Sequence, residues 1–284
     1  MIELCPGTYD VDLIARSGQS FRWRQLARVG GGPGAGSWRV PALGGCATLL
    51  QHGDRILVDL GAPDARGLRG AEGKGAAASL GPHGDARRWL DYLALGPHDA
   101  ATHEDALEEL ARLPDPMPRV VRTYGGLRVL RQDAWETCVS FVISQNNNIA
   151  RIRRSLAAIC GSGLSPLPSS EALLDLLVRG KGAGLGLGYR LPYLMDLCRR
   201  WPALSLRLRR REGYEADFCA LCEVDGIGPK VANCICLYGL GHEEVVPRDT
   251  WIRKAEERHG IVWHPELGGL QQLMVFEWMR ARAS

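Results

Sequence analysis

At 284 residues, with 45% hydrophobic content and a mean hydropathy of −0.13, the chain can bury a large core and divide into two sub-domains. The opening MIELCPGTYDVDL is no basic-then-apolar signal and no apolar run approaches membrane length, so an intracellular protein without membrane partners is expected. A net charge of +3 (pI ≈ 8.4) permits nucleic-acid binding without demanding it.

Residues 1–62 alternate short apolar runs with turns: Ser37–Val40, Ala47–Leu50 and Ile56–Leu60 have strand spacing and predict an antiparallel sheet. Two low-complexity stretches interrupt it. VGGGPGAG (Val29–Gly36) reads as a flexible hairpin loop, and Gly61–Asp85 is Gly/Ala-rich with little reason to order. Between them in interest stands Ser17-Gly18-Gln19-Ser20-Phe21-Arg22-Trp23-Arg24, a polar turn running into an aromatic-basic strand. Taken alone it is an ordinary β-turn.

From about Ala86 the apolar period becomes helical. Helices are expected over Arg87–Leu95, His103–Leu113, Asp133–Ser144, Ile149–Cys160, Glu171–Arg179, Leu191–Trp201, Tyr214–Cys222, Pro229–Leu240, Thr250–Arg258 and from about Leu270. The fold class is therefore α+β: a small β-rich domain over 1–115, then an all-helical domain over 116–284. Two polar interruptions need a reason. Gln145-Asn146-Asn147-Asn148, followed by Arg151, Arg153 and Arg154, is either an exposed loop or a hydrogen-bonding site, since three buried unpaired asparagines would be costly. Leu185-Gly186-Leu187-Gly188-Tyr189-Arg190 offers glycine backbone, an aromatic ring and a guanidinium, suited to entering a base stack or simply to a solvated loop. The Arg207, Arg209, Arg210, Arg211 group reads as a solvated face.

The most informative stretch is Cys222–Asp249. Gly226-Ile227-Gly228 interrupts a helix and Pro229 suits the first position of the next, giving helix, tight hairpin, helix. Amides converging at that helix start form a ready phosphate site. Lys230 sits in the first turn, where the helix dipole disfavours its charged form, so a lowered pKa is expected. Only four of the 35 lysine and arginine residues are lysine, and arginine cannot deprotonate to attack carbon. Nineteen residues on, Asp249 is placed to cap another helix, so an amine of lowered pKa and a fixed carboxylate form a candidate nucleophile and partner. Nine cysteines, odd in number and mostly in apolar helical stretches, point to free thiols in a reducing compartment. Cys219/Cys222 and Cys234/Cys236 are poorly placed to converge, so no zinc or iron–sulfur site is expected.

Together these strings resemble one family: the 8-oxoguanine DNA glycosylases of the helix-hairpin-helix glycosylase superfamily. SGQSFRWR (17–24), LRVLRQD (127–133), NNNIARI (146–152), LGLGYR (185–190), GIGPKVANCICL (226–237), VPRDTW (246–251) and the Gln272–Phe276 helix occur in family order. GIGPK with the distant aspartate marks the superfamily; the asparagine, LGLGYR and SGQSFRW strings mark this branch.

The resemblance implies a bifunctional glycosylase/AP lyase of base excision repair, acting on double-stranded DNA as a monomer. An oxidised guanine opposite cytosine would be flipped into a pocket. Lys230 would attack the sugar C1′ and hold it as a Schiff base, while Asp249 stabilises the cationic sugar. Amides at Gly226 and Gly228 would grip a phosphate. Carbonyls of Cys222, Val224 and Ile227 would support a monovalent cation, no other cofactor being required. The Gly18 carbonyl would accept the N7 hydrogen that marks the oxidised base, between Cys234 and Phe276 on its faces, with Gln272 at its Watson–Crick edge. Asn146, Arg151 and Arg190 would hold the orphaned cytosine and Tyr189 would wedge the stack. Such an enzyme works in the nucleus of a eukaryote, otherwise in the cytoplasm and nucleoid. The chain departs from the pattern at Trp251, where some relatives place a histidine on phosphate. It departs again at Glu266–Leu270, a link short enough to reposition Gln272 and Phe276. Competing readings are a superfamily glycosylase for another base, or a hairpin module that only binds DNA. No cysteine follows Cys236, which argues against the cluster-bearing members.

Overall fold

The computed structural model describes residues 1–28, 36–60, 82–161, 164–180 and 182–283. The glycine loop after Val29 and most of the Gly/Ala-rich stretch therefore lie outside the described residues. Five strands form one antiparallel sheet in the order β1-β5-β4-β3-β2: β1 Ile2–Leu4, β2 Arg24–Arg28, β3 Gly36–Ala42, β4 Gly45–His52 and β5 Arg55–Asp59. Alternate positions point inward, and Val40, Ala47, Leu49, Ile56 and Val58 are fully buried. A short helix, α1 (Val11–Arg16), lies beside β3. Asp10 caps it, accepting from the Leu13 N–H at 2.9 Å, and Asp12 accepts from the Trp38 indole at 2.6 Å.

The helices follow as α2 (Pro82–Tyr92), α3 (Asp99–Ala111), α4 (Met117–Tyr124), α5 (Ala134–Ser144), α6 (Ile149–Ile159), α7 (Ser170–Arg179), α8 (Arg190–Leu208), α9 (Tyr214–Cys222), α10 (Pro229–Ile235), α11 (Thr250–His259) and α12 (Gly268–Ala281). One apolar cluster runs from the sheet into these helices, stitched by Trp23 Nε1 to the Tyr92 hydroxyl (3.1 Å) and by the Tyr9 hydroxyl to the Leu93 carbonyl (3.0 Å). α5 is its axis, with Trp135 and every residue from Thr137 to Ile143 buried.

Several elements depart from the sequence expectation: α1 is a helix where only strands and turns were expected, and α3 starts earlier, at Asp99. α2 starts earlier, at Pro82, a residue preorganised for a first helical position. α4 is unanticipated because prolines crowd its start, yet Pro118 sits in the first turn, where a missing N–H costs nothing. α8 runs on past Pro202 to Leu208. This places Arg207 on helix, paired with Glu223 at 2.5 Å, and thus on a solvated face as expected. α10 is shorter than predicted: Cys236–Leu240 continue it as a π-helical turn that ends at Gly241 (φ +82°).

Candidate active site

The hairpin joins α9 to α10 as the sequence predicts. Gly226 takes φ +82°, and a Cβ there would lie 2.2 Å from the Tyr193 ring, so no larger residue fits. Gly228 precedes α10 in extended conformation, and Pro229 opens the helix. Lys230 therefore leaves the first turn of α10 with its amine 5.5 Å from the centre of the Phe141 ring. Cys234, one turn later on the same face, is buried.

Asp249 caps α11, its carboxylate accepting from the Ile252 N–H at 2.9 Å. Lys230 and Asp249 line one open cleft of ≈ 590 Å³, together with Gln145, Asn146, Tyr189 and Gly228. Arg248 and Arg253 also line it. Among the described residues, Lys230 and Asp249 make no ion pair within 4.0 Å. The two heads thus share a space without consuming one another, leaving room for a reacting group.

The charge state of Lys230 corrects the sequence expectation. Its pKa is raised, not lowered: the Cys234 sulfur and then Asp249 favour the ammonium, outweighing the burial that opposes it. The helix N-terminus alone would push the other way, but these specific neighbours outweigh it. Burial in turn raises the Cys234 thiol, against the pull of Lys230. The direction that stands is a charged amine.

The three asparagines divide the work between them. Asn148 caps α6 through the Arg151 N–H (2.9 Å), and Asn147 donates to the Ile143 carbonyl near the end of α5 (3.1 Å). Asn146 adopts φ +46° and faces the cleft. The loop is exposed at Asn146 and Asn148, the first of the two sequence readings, and two of its asparagine side chains bond to the local backbone. Tyr189 is half exposed, its hydroxyl donating to the Gln145 carbonyl at 3.1 Å. Arg151 is exposed on α6. Arg190 is placed differently from its expected role: it is buried, stacks on Tyr189 at 4.4 Å, and donates to the Gln145, Asn146 and Leu187 carbonyls. It holds the asparagine loop and does not line the cleft.

The residues expected to read the base lie apart from the cleft lining, which aromatic contacts reach from the core. Phe21, Phe141 and Tyr238 form a chain with centroid spacings of 5.6 Å, Phe141 and Tyr238 being stacked. Tyr238 donates to Gln272 Oε1 at 3.3 Å, and Gln272 is buried. Phe276 is half buried on the same helix. The shortened link does not leave α12 adrift. Gly268 and Gly269 pack so closely that Cβ atoms would lie 2.5 Å from the Glu244 carbonyl and 2.3 Å from Leu237, and the Gly269 N–H donates to Glu243 at 2.7 Å. The glycine pair lets the helix start at once against the π-helical turn.

Gly18 takes φ +78° at the end of α1, with open space where a Cβ would be. Buried Gln19 fixes this turn: its amide donates to Ser17 Oγ (3.0 Å) and the Arg128 carbonyl (2.9 Å), and its oxygen accepts from the Leu130 N–H (2.8 Å). Gln132 closes the frame onto the Gln19 carbonyl at 2.7 Å. The LRVLRQD string is thus the mould of the SGQS turn. Sequence reasoning missed Phe141, Tyr238, Arg248 and Arg253 as site residues, since only the fold brings them there. Among the described residues no group of three or more His, Cys, Asp or Glu is placed to hold a metal, and no helix is long and apolar enough to cross a membrane.

This arrangement of sheet, bundle and hairpin is a fold shared with solved 8-oxoguanine glycosylases. A Clostridium acetobutylicum 8-oxoguanine glycosylase/lyase, solved with double-stranded DNA containing cytosine opposite 8-oxoG, superposes with a TM-score of 0.77 at 21% identity, covering 98% of this chain and 93% of that one. In sequence the chain is similar to the N-glycosylase/DNA lyase of Saccharomyces cerevisiae, 31% identical over 156 residues (47% of this chain, 42% of the relative). It is also similar to N-glycosylase/DNA lyase OGG1 of Arabidopsis thaliana, 34% identical over 167 residues (53% of this chain, 44% of the relative). The match thus spans less than half the length of these two curated relatives. No family model matches the chain.

Proposed function

We propose that this protein is a bifunctional DNA glycosylase/AP lyase that excises 8-oxoguanine opposite cytosine in base excision repair. The observation that carries it is the shared cleft: an amine on the hairpin helix and a carboxylate fixed by a helix cap face one space, unpaired with each other. A module that only bound DNA backbone would need neither group. The similar proteins named N-glycosylase/DNA lyase support the same chemistry.

The sugar C1′ is shielded within a stacked duplex, so the base must be flipped out. Lys230, charged at rest, must first lose a proton, and Asp249 is the carboxylate sharing its cleft. The neutral amine then bonds to C1′ as the C1′–N9 pair departs with the base, which takes up a proton. Loss of the second amine proton with opening of the sugar ring gives the Schiff base. Removal of a C2′ proton then expels the 3′-phosphate. Asp249 stabilises the positive charge that develops on the sugar.

For recognition, the Gly18 carbonyl would accept the N7 hydrogen that guanine lacks, with Cys234 and Phe276 against the base faces and Gln272 on its edge. The normal base would leave that carbonyl facing a lone pair, a mismatch costing about 1–3 kcal/mol. Asn146 and Arg151 are open to the orphaned cytosine, and Tyr189 is exposed enough to enter the gap; Arg190 would exchange a loop carbonyl for the base. Hairpin amides at Gly226 and Gly228 would take a phosphate. Arg253, in the same cleft, could supply the contact for which some relatives use histidine. Carbonyls of Cys222, Val224 and Ile227 suit a monovalent cation: Val224 accepts the Ile227 N–H at 3.0 Å, and among the described residues no loop hydrogen bond reaches the other two. The protein would act inside the cell as a monomer, in the nucleus of a eukaryote and otherwise on the nucleoid.

Purified protein incubated with duplexes carrying 8-oxoguanine opposite each of the four bases tests this reading. Free 8-oxoguanine, measured by mass spectrometry, should appear fastest opposite cytosine, with strand incision following. Equal release from all four duplexes would contradict the cytosine assignment, and no release from any would overturn the function.

A further inference from the structure

α12 and the Gly18 turn lie at opposite ends of the chain, yet Arg280 joins them. Its guanidinium donates to the Arg16 carbonyl at 3.1 Å, two residues before Gly18. That carbonyl belongs to the last turn of α1, where backbone oxygens lack helical partners and a cation is favourable. The same guanidinium pairs with Glu277 at 3.0 Å and lies 5.6 Å over the Phe276 ring. Glu277 is buried, and its other oxygen has no hydrogen-bond partner among the described residues. An uncompensated buried carboxylate is costly, so Arg280 is held where it is by need as well as by geometry.

We propose that Arg280 is a positioning residue for lesion recognition: clasped by Glu277, it fixes the Phe276 ring against the Gly18 turn and so sets the gap that the oxidised base must fill. The inference rests on the functional reading above for the roles of Gly18 and Phe276. The clasp itself rests on the contacts alone. Burial pushes the Glu277 carboxyl up to about 7, and Arg280 pulls it the other way.

Arg280 is not among the residues that line the cleft with Lys230, so it should matter for reading a base and not for chemistry on a sugar that has none. Arg280→Met keeps the stem's length and removes the donor. Amide exchange across residues 17–20 should rise about tenfold, because the turn loses its tether. Release of 8-oxoguanine should fall roughly 10- to 100-fold, the scale of a slight misplacement of reacting groups. Incision of a duplex with a preformed abasic site should stay within about twofold, as no base is read there. Arg280→Lys, which retains a cation and a donor, should recover part of the loss. Unchanged exchange at residues 17–20, or parallel loss of both reactions, would overturn the proposal. A wild-type protein that releases no 8-oxoguanine would sink the functional reading, while the exchange measurement still decides the clasp.

Discussion

Lys230→Gln will release 8-oxoguanine at least about 10³-fold more slowly than the wild type in single-turnover assays, a barrier increase of about 4 kcal/mol. Glutamine keeps a polar side chain, one bond shorter, but its amide nitrogen has no lone pair able to form a bond to C1′ and then a Schiff base. The fold should barely register the change. What the amine contributes structurally is a cation–π contact with Phe141, worth about 0.5–1 kcal/mol. Lesion-duplex binding should therefore survive in the variant. A Lys230→Gln protein that still releases base at the wild-type rate would assign the nucleophile elsewhere, to water or to another amine.

Asp249→Asn will slow base release by about 10²- to 10³-fold, the usual cost of removing a preorganised group that stabilises developing charge. The choice of asparagine matters because Asp249 has two jobs. Its side chain caps α11 through the Ile252 N–H, and asparagine is an equally good cap, so the variant isolates the negative charge. Asp249→Ala, by contrast, should also cost about 1 kcal/mol of stability through the lost cap, visible in urea unfolding. If Asn and Ala variants lose activity no more than twofold, the carboxylate has no part in the chemistry.

The hairpin was legible because glycine and proline act locally. Gly226 must adopt positive φ under a close-packed ring, and Pro229 can open a helix but not continue one. Asp249 was legible for the same reason, since capping depends on the next three residues. The charge of Lys230 was not, because a local argument sees the helix dipole but not the sulfur and carboxylate that surround the amine. Arg190 shows the same limit. Spacing gives it a ring beside it and a groove to serve, yet the fold buries it under the carbonyls of a loop 45 residues away. The π-helical turn at Cys236–Leu240 follows an apolar pattern that also fits ordinary helix; it is set by Gly239 packing on α5 and by the Gln132 N–H bonded to Tyr238 at 2.9 Å. The α4 helix and the extension of α8 past Pro202 were hidden by prolines that packing tolerates.

Borohydride trapping on a duplex with 8-oxoguanine opposite cytosine addresses the central claim most directly, because reduction fixes the Schiff base before it can hydrolyse. The account predicts a covalent protein–DNA complex whose adduct maps by mass spectrometry to Lys230, and none on the undamaged duplex. An adduct on Lys254 or the N-terminal amine, or base release with no trapped complex at all, would contradict it.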